Sequence, residues 1–134
     1  MRTAISWVLL LLILPGAARS ELPPSAYKER QDQAPEALTI KVRSVSKIET
    51  IEKRWKEIHF TVEAEIQSVE RSATRLMPGS TIKISYGQRQ HFEPMTGPSE
   101  VPALKEGQVC PAYLSGDGRV YSPAAGGYSF ETVR

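Results

Sequence analysis

The most regular stretch of the chain is EIHFTVEAEIQ, residues 57–67, in which polar and apolar side chains alternate without a break. A period of two is typical of a β-strand that buries one face and leaves the other in water. We therefore predict one long half-buried strand here. Its buried face carries Ile58, Phe60, Val62, Ala64 and Ile66.

The alternation is also present upstream, where Leu38, Ile40 and Val42 are separated by polar residues. Its phase breaks after Val42, which indicates a β-bulge near Ser44. Residues 45–55 fit two structures. Charge pairs four residues apart suit a helix, but strands flank the region on both sides and favour a β-hairpin with a charged tip.

Further strands are expected downstream, joined by turns rich in glycine and proline. The triplet Gly116-Asp117-Gly118 predicts a tight hairpin turn, and residues 87–103 form a long connection with three prolines. Loops of that length inside a compact domain are usually functional or mobile. The predicted strands are 81–86, 109–114, 119–122 and 128–133.

Five or six strands in about 95 residues predict an all-β fold, a small antiparallel Greek-key barrel of the oligonucleotide/oligosaccharide-binding (OB) type. The alternative is an immunoglobulin-like β-sandwich, which has about seven strands and often a core Trp. Trp55 lies at a strand start or a turn, which suits the sandwich less well.

The first 20 residues have the order of a secretory signal: Arg2, an apolar run over 4–14, and small residues up to Ser20. This run is shorter than the roughly 20 residues that span a bilayer. We expect cleavage near Ser20, a secreted or periplasmic protein and no stable membrane span. Residues 21–37, with three prolines, are predicted to form a disordered linker, and residues 38–134 the barrel domain.

The charge balance and the cysteine content argue against several classes of protein. The chain has 17 Lys and Arg against 15 Asp and Glu, and cleavage after Ser20 removes two arginines, so the remainder is neutral. Nucleic-acid binders normally carry a basic face, and we expect no nucleic-acid partner. A single Cys is incompatible with a disulfide scaffold, and no phosphate loop or dinucleotide motif suggests a cofactor.

Several short motifs recur along the predicted strands and turns: residues 64–69, Pro78-Gly79 with Ile82, Ile84 and Tyr86, Gly97-Pro98, Leu104, Gly107 and Tyr113-Leu114. Together they resemble small exported bacterial OB-fold proteins of uncharacterised function and, more distantly, netrin-like domains such as the tissue inhibitors of metalloproteinases. The resemblance covers about residues 38–131 and implies the barrel fold. Those inhibitors act through an N-terminal Cys and a disulfide framework. This chain has a single Cys, so the resemblance assigns no inhibitory residue to it.

The candidate catalytic groups have simple structural interpretations. His59 is expected on the polar face of its strand, and Cys110, between Val109 and Pro111, as a small buried residue. A thiol nucleophile paired with His91 or His59 is the enzymatic alternative, and a bridge between two chains is another use of the thiol.

Carboxylates and metal ligands give equally weak signals. Glu63 and Glu65 lie about 6.6 Å apart along a strand, a spacing compatible with acid–base work, although alternating surface glutamates explain them equally. The two histidines and Cys110 are too dispersed for the close spacing of zinc sites. We predict no catalytic site and no metal site.

The aromatic residues suggest a contact surface, because six of the nine after residue 20 lie between 86 and 130. They either fill the core or form a binding face. We predict a non-enzymatic binding module, monomeric or weakly dimeric, that contacts an envelope protein or a small ligand. The alternative is glycan or small-ligand binding on an aromatic barrel face. The predicted contact residues are His91, Phe92, Tyr113 and Tyr121, the first two in the 87–103 loop.

Overall fold

The computed structural model describes residues 22–92 and 100–133. The expected export signal at 1–20 and the middle of the 87–103 connection lie outside these ranges. The elements are one helix, α1 (Pro24–Gln33), the strands β1 (Glu36–Ile51), β2 (Trp55–Ser72), β3 (Thr81–His91), β4 (Val109–Gly116) and β5 (Val120–Pro123), and a short 3₁₀ helix at Gly126–Tyr128.

The long central strand is present as predicted. β2 has 18 residues, and its even-numbered apolar side chains from Ile58 to Ile66 are buried. It pairs along its length with β1, and one of the register shifts lies between Val42 and Ser44, where the bulge was expected. Residues 45–51 continue β1 up to a charged tip, so the hairpin interpretation of this region is confirmed.

The five strands form one sheet that closes into a ring in the order β1-β2-β3-β5-β4, with β4 pairing back to β1. This confirms the predicted small all-β fold, and the sandwich alternative is not formed. The expectation of an entirely antiparallel sheet was wrong, because β3 and β5 run parallel. An odd number of strands cannot alternate in direction around a closed ring, so one pair must be parallel.

The core fills the inside of the ring with the buried faces of the strands. Ile40, Val62, Ile84 and Leu114 are completely buried, one from each of four strands. Phe60 and Tyr86 stack with their ring centroids 5.0 Å apart. The remaining members of the core are Leu38, Val42, Ile58, Ala64, Ile66, Ile82, Leu104, Cys110, Ala112, Tyr121 and Phe130.

The predicted disordered linker at 21–37 was wrong for the described residues, which contain α1. This helix buries only Tyr27 and Gln31, so its sequence shows no apolar stripe. Hydrogen bonds fix it instead: Gln31 Nε2 donates to the carbonyls of Tyr128 and Glu131, at 2.8 and 2.7 Å. Arg71 donates to the Gln31 and Ala34 carbonyls, which satisfies groups that a helix end leaves unpaired.

The last predicted strand, 128–133, is also absent. The chain there forms the 3₁₀ helix and then coil. Ser129 Oγ accepts from the Ala125 N–H and donates to the Gly126 carbonyl, which fixes this turn, and the Ser129 carbonyl accepts from the Tyr113 N–H of β4. Phe130 still enters the core. Among residues 22–92 and 100–133, no helix has the length and apolar character needed to cross a bilayer.

Candidate functional site

Three strands extend beyond the closed ring. β4 pairs with β1 only through Lys41, and β5 pairs with β3 only at Lys83 and Ile84. Past these points β1, β2 and β3 continue together to the hairpin tip as a three-stranded sheet. We call this part, residues 45–51, 55–62 and 85–91, the distal sheet. Residues 87–91, which were predicted to lie in a loop, belong to the regular strand β3.

The outer face of the distal sheet carries a shallow depression at a row of paired residues, Ile48, His59 and Gly87. Gly87 has no side chain, and a Cβ there would meet only the Ile58 carbonyl oxygen, at 3.6 Å. The resulting space measures about 430 Å³ and is also lined by Glu57 and Arg89. His59 Nε2 shares a 2.8 Å hydrogen bond with Ser85 Oγ, so this ring faces solvent and the next strand, as predicted.

A cluster of aromatic and charged side chains lies beside the depression, toward the tip. The guanidinium carbon of Arg89 sits 4.5 Å from the centroid of the Trp55 ring, and Arg89 Nη2 donates to Glu57 Oε1 at 2.8 Å. His91 approaches the same indole edge-on, with centroids 6.0 Å apart. Arg89 is therefore held between a π face and a carboxylate, an arrangement that fixes a long side chain in place.

The indole N–H of Trp55 is buried and has no hydrogen-bond acceptor among the described residues. Leaving such a donor unpaired costs about 1–3 kcal/mol. Trp55 is therefore held by its ring contacts with Arg89 and His91 and not by a hydrogen bond.

The structure separates the four predicted contact residues. His91 and Phe92 lie at the end of β3 beside the hairpin tip, and Phe92 is 59% exposed. Tyr113 is half-buried on β4, where it pairs with Ala37. From Ala37 to Ile51 at the tip, β1 covers roughly 45 Å of extended chain, so Tyr113 belongs to the opposite end of the molecule.

The assignment of Tyr121 to an exposed surface was wrong. This side chain is 1% exposed, and its hydroxyl shares a 2.7 Å hydrogen bond with Thr74 Oγ1. It fills the ring where β5 joins β3, so its role is in the core. Trp55, Glu57 and Arg89 were not predicted as site residues. The alternation in β2 could have indicated Trp55 and Glu57, because these two residues share the outward-facing phase of the strand with His59.

Cys110 is buried, as expected, and burial raises the pKa of its thiol to about 11. It pairs with Ile40 inside the ring, whereas His91 pairs with Trp55 next to the tip and His59 lies on the outer face, bonded to Ser85. The thiol–imidazole pair of the hydrolase alternative is therefore not formed, since a thiol nucleophile needs an exposed setting that lowers its pKa.

The second pair of candidate groups, Glu63 and Glu65, lies on the polar side of β2. Arg43 and Gln67 donate hydrogen bonds to Glu65 and lower the pKa of its carboxyl. A carboxyl that is held ionised in this way is unsuited to donate a proton at neutral pH. Across the ranges that the structure describes, no three His, Cys, Asp or Glu residues come together as metal ligands.

Comparisons with protein-family models, curated proteins and solved structures found no match to this chain. The functional interpretation therefore rests on the geometry of the distal sheet.

Proposed function

We propose that this chain is a non-enzymatic binding module of the cell envelope and that its partner docks on the distal sheet. The main support is where apolar surface is left uncovered. Of the six large hydrophobic residues exposed in the described part of the chain, three lie at this end: Ile48, Ile51 and Phe92. Apolar side chains gathered at one end and flanked by charged residues are typical of interaction surfaces.

The aromatic and cationic residues strengthen the proposal. Trp, Tyr and Arg dominate the binding energy of protein interfaces, and Trp55 and Arg89 lie in contact on the outer face of the distal sheet, to which Ile48 also belongs. The Arg89 charge is matched by Glu57, so the surface is locally neutral and favours a partner of mixed polarity over a polyanion. In OB-type barrels, the face of strands 2 and 3 is the usual binding face.

The envelope location rests on the sequence alone, through the signal-like order of residues 1–20. Edman sequencing or mass spectrometry of the exported protein tests it. A mature chain that begins near Glu21 supports the location, and a full-length chain retained in the cytoplasm contradicts it.

The binding proposal is tested by capture from an envelope extract with the wild-type protein and two alanine variants. Phe92→Ala removes an exposed ring beside the tip, and Val109→Ala is the matched control, since both residues are 59% exposed but Val109 lies on β4, outside the distal sheet. We expect Phe92→Ala to reduce capture about tenfold, as loss of an interface anchor does, while Val109→Ala has no effect. Equal capture by both variants would contradict the proposal.

A second candidate, binding of a glycan or small polar ligand, is favoured by the depression over Gly87. Its volume of about 430 Å³ falls within the usual range of small-molecule sites, and these combine apolar walls with a few polar groups. Ile48 supplies apolar surface, while Glu57, His59 and Arg89 supply acceptors and donors.

Gly87→Val tests this candidate because the added side chain fills the depression and β-branched residues suit a strand. Thr81→Val, an exposed change on the same strand, is the control. We expect Gly87→Val to abolish binding on a glycan array and Thr81→Val to retain it. Retained binding by both variants would exclude the depression as the ligand site.

A further inference from the structure

One edge of the distal sheet is open. The last contacts of β1 with the β4 side are at Val42, whose N–H donates to the Gln108 carbonyl and whose carbonyl accepts from the Gly107 N–H. Beyond it, residues 45–51 pair with β2 on one side and with no strand on the other among the described residues. These seven residues offer about 23 Å of unpaired edge. Such an edge is a template for another strand.

The backbone orientation along this edge follows from the hairpin tip. The Glu52 N–H donates to the Trp55 carbonyl at 2.8 Å, so the even-numbered residues of the preceding stretch direct their backbone groups to β2. Since this direction alternates along a strand, Val45, Lys47, Glu49 and Ile51 direct theirs to the open edge. A strand added there would hydrogen-bond to these four residues.

The sequence of the edge, VSKIETI, is complementary to itself when two copies run antiparallel about Ile48. In that register Lys47 lies opposite Glu49 of the second copy, Ser46 opposite Thr50, and Val45 opposite Ile51. Each charge then meets the opposite charge, each hydroxyl a hydroxyl and each apolar side chain another. Such cross-strand pairs stabilise antiparallel sheets, and like charges in the same positions destabilise them.

We infer that two copies of this chain associate through residues 45–51, so that their distal sheets join into one six-stranded sheet around a two-fold axis at Ile48. The same residue on both chains then forms the centre, as a two-fold interface requires. The inference goes beyond the docking proposal because it uses the backbone edge of β1, although Ile48 and Ile51 belong to both surfaces.

Exposure of the side chains supports a second copy as the occupant. Ile48 and Ile51 are 70% and 73% exposed in the single chain, which is unusual on a strand that already has a free edge. Lys47 and Glu49 form only a loose pair at 3.6 Å within the chain, and Glu49 lies 3.7 Å from Lys56. Exposed pairs of this kind contribute little to stability, so the two charges are available to pair across the axis.

Joining the sheets would also unite their outer faces. Ile48 lines the depression over Gly87, and the axis passes through Ile48, so the two depressions would lie side by side. A partner with two equivalent sites would then bind with higher avidity than one copy provides.

Sedimentation equilibrium of the protein purified from cells that express the full chain tests the inference. We expect a reversible monomer–dimer equilibrium for the wild type. Lys47→Glu and Glu49→Lys should each weaken it about tenfold or more, because either change places two pairs of like charges across the axis. Lys53→Glu, the same change at the hairpin tip outside the paired residues, is the control and should leave the equilibrium unchanged.

Mixing the two weakened variants tests the register itself. The K47E chain is acidic at both positions and the E49K chain is basic at both, so the two chains are complementary to each other across the axis. An equimolar mixture of them should therefore form a heterodimer, although neither variant associates well alone. Nonspecific association through apolar surface would not produce this result. Native mass spectrometry distinguishes the heterodimer when one variant is isotopically labelled.

Three results would overturn the inference: a wild-type protein that stays monomeric at millimolar concentration, a dimer that both charge reversals leave intact, or a mixture with no heterodimer. Amide exchange distinguishes a foreign strand as the occupant. Protection of residues 45–51 that rises only when a different protein is added, and not with the concentration of this chain, would assign the edge to that protein and overturn self-association.

Discussion

The ring and the distal sheet share the strands β1, β2 and β3 but differ in what surrounds these strands. Inside the ring, each strand has a neighbour on both sides, and residues such as Ile40 and Ile84 are fully buried. Beyond it, β1 has a neighbour on one side only, and Ile48 and Ile51 are exposed. The closed ring thus surrounds the core, whereas the part beyond closure leaves apolar side chains exposed, and there we propose that a partner docks.

The largest expected effect tests this division directly. Ile84→Ala, inside the ring, removes buried methyl groups and should lower the free energy of unfolding by about 2–5 kcal/mol. Ile51→Ala makes the same chemical change on the distal sheet and should alter it by no more than about 0.5 kcal/mol. Urea denaturation of both variants measures the difference. Equal losses would mean that the distal sheet is as tightly packed as the ring.

Alkaline pH should weaken the ring through Cys110. In the unfolded chain the thiol ionises near its ordinary pKa of about 9, whereas burial holds the folded-state pKa at about 11. The unfolded state therefore releases its proton first, and stability falls as the pH rises from about 9 to about 11. The loss from this group is up to about 3 kcal/mol.

Urea denaturation across this pH range, compared between the wild type and Cys110→Ala, isolates the thiol because every other titrating group is shared. The Cys110→Ala variant should lack the part of the stability loss that comes from the thiol and keep the part that comes from the other titrating groups. Parallel declines in both proteins would show that the thiol ionises as readily in the folded ring as in the unfolded chain.

The smallest of these effects concerns α1, which docks on the ring without an apolar stripe. Gln31→Ala removes two hydrogen bonds to the C-terminal segment and should cost about 1–3 kcal/mol. Amide exchange should then accelerate in residues 24–33 and stay slow in β2. Gln33→Ala, an exposed change on the same helix, should leave the exchange unchanged. Acceleration throughout β2 as well would mean that the helix and the ring unfold together.

The sequence predicted well those elements whose pattern is local. The alternation in β2 and in the first half of β1 reports burial on one face, and Gly116-Asp117-Gly118 marks a turn by backbone conformation alone. The sequence predicted poorly those elements whose structure depends on residues distant in the chain. Residues 87–91 are polar and contain a glycine, and they form a strand because β2 provides hydrogen bonds along their full length.

The candidate site was predicted only in part, for the same reason. His91 and Phe92 were named, but as members of a loop, and Tyr121 was placed on the surface. A tyrosine has the same local pattern whether its hydroxyl meets water or Thr74. The contact of Trp55 with Arg89 joins residues on two strands, and strand register, which the local pattern does not specify here, decides such contacts.

The sequence by itself determined that this protein is mostly β and that its longest strand buries one face, because these properties follow from the order of neighbouring residues. Only the tertiary structure decided that five strands close into a ring, that one pair must be parallel, that a helix without an apolar stripe packs on the outside, and that Trp55 meets Arg89. These features depend on contacts between residues far apart in the chain, and the order of neighbouring residues does not specify such contacts.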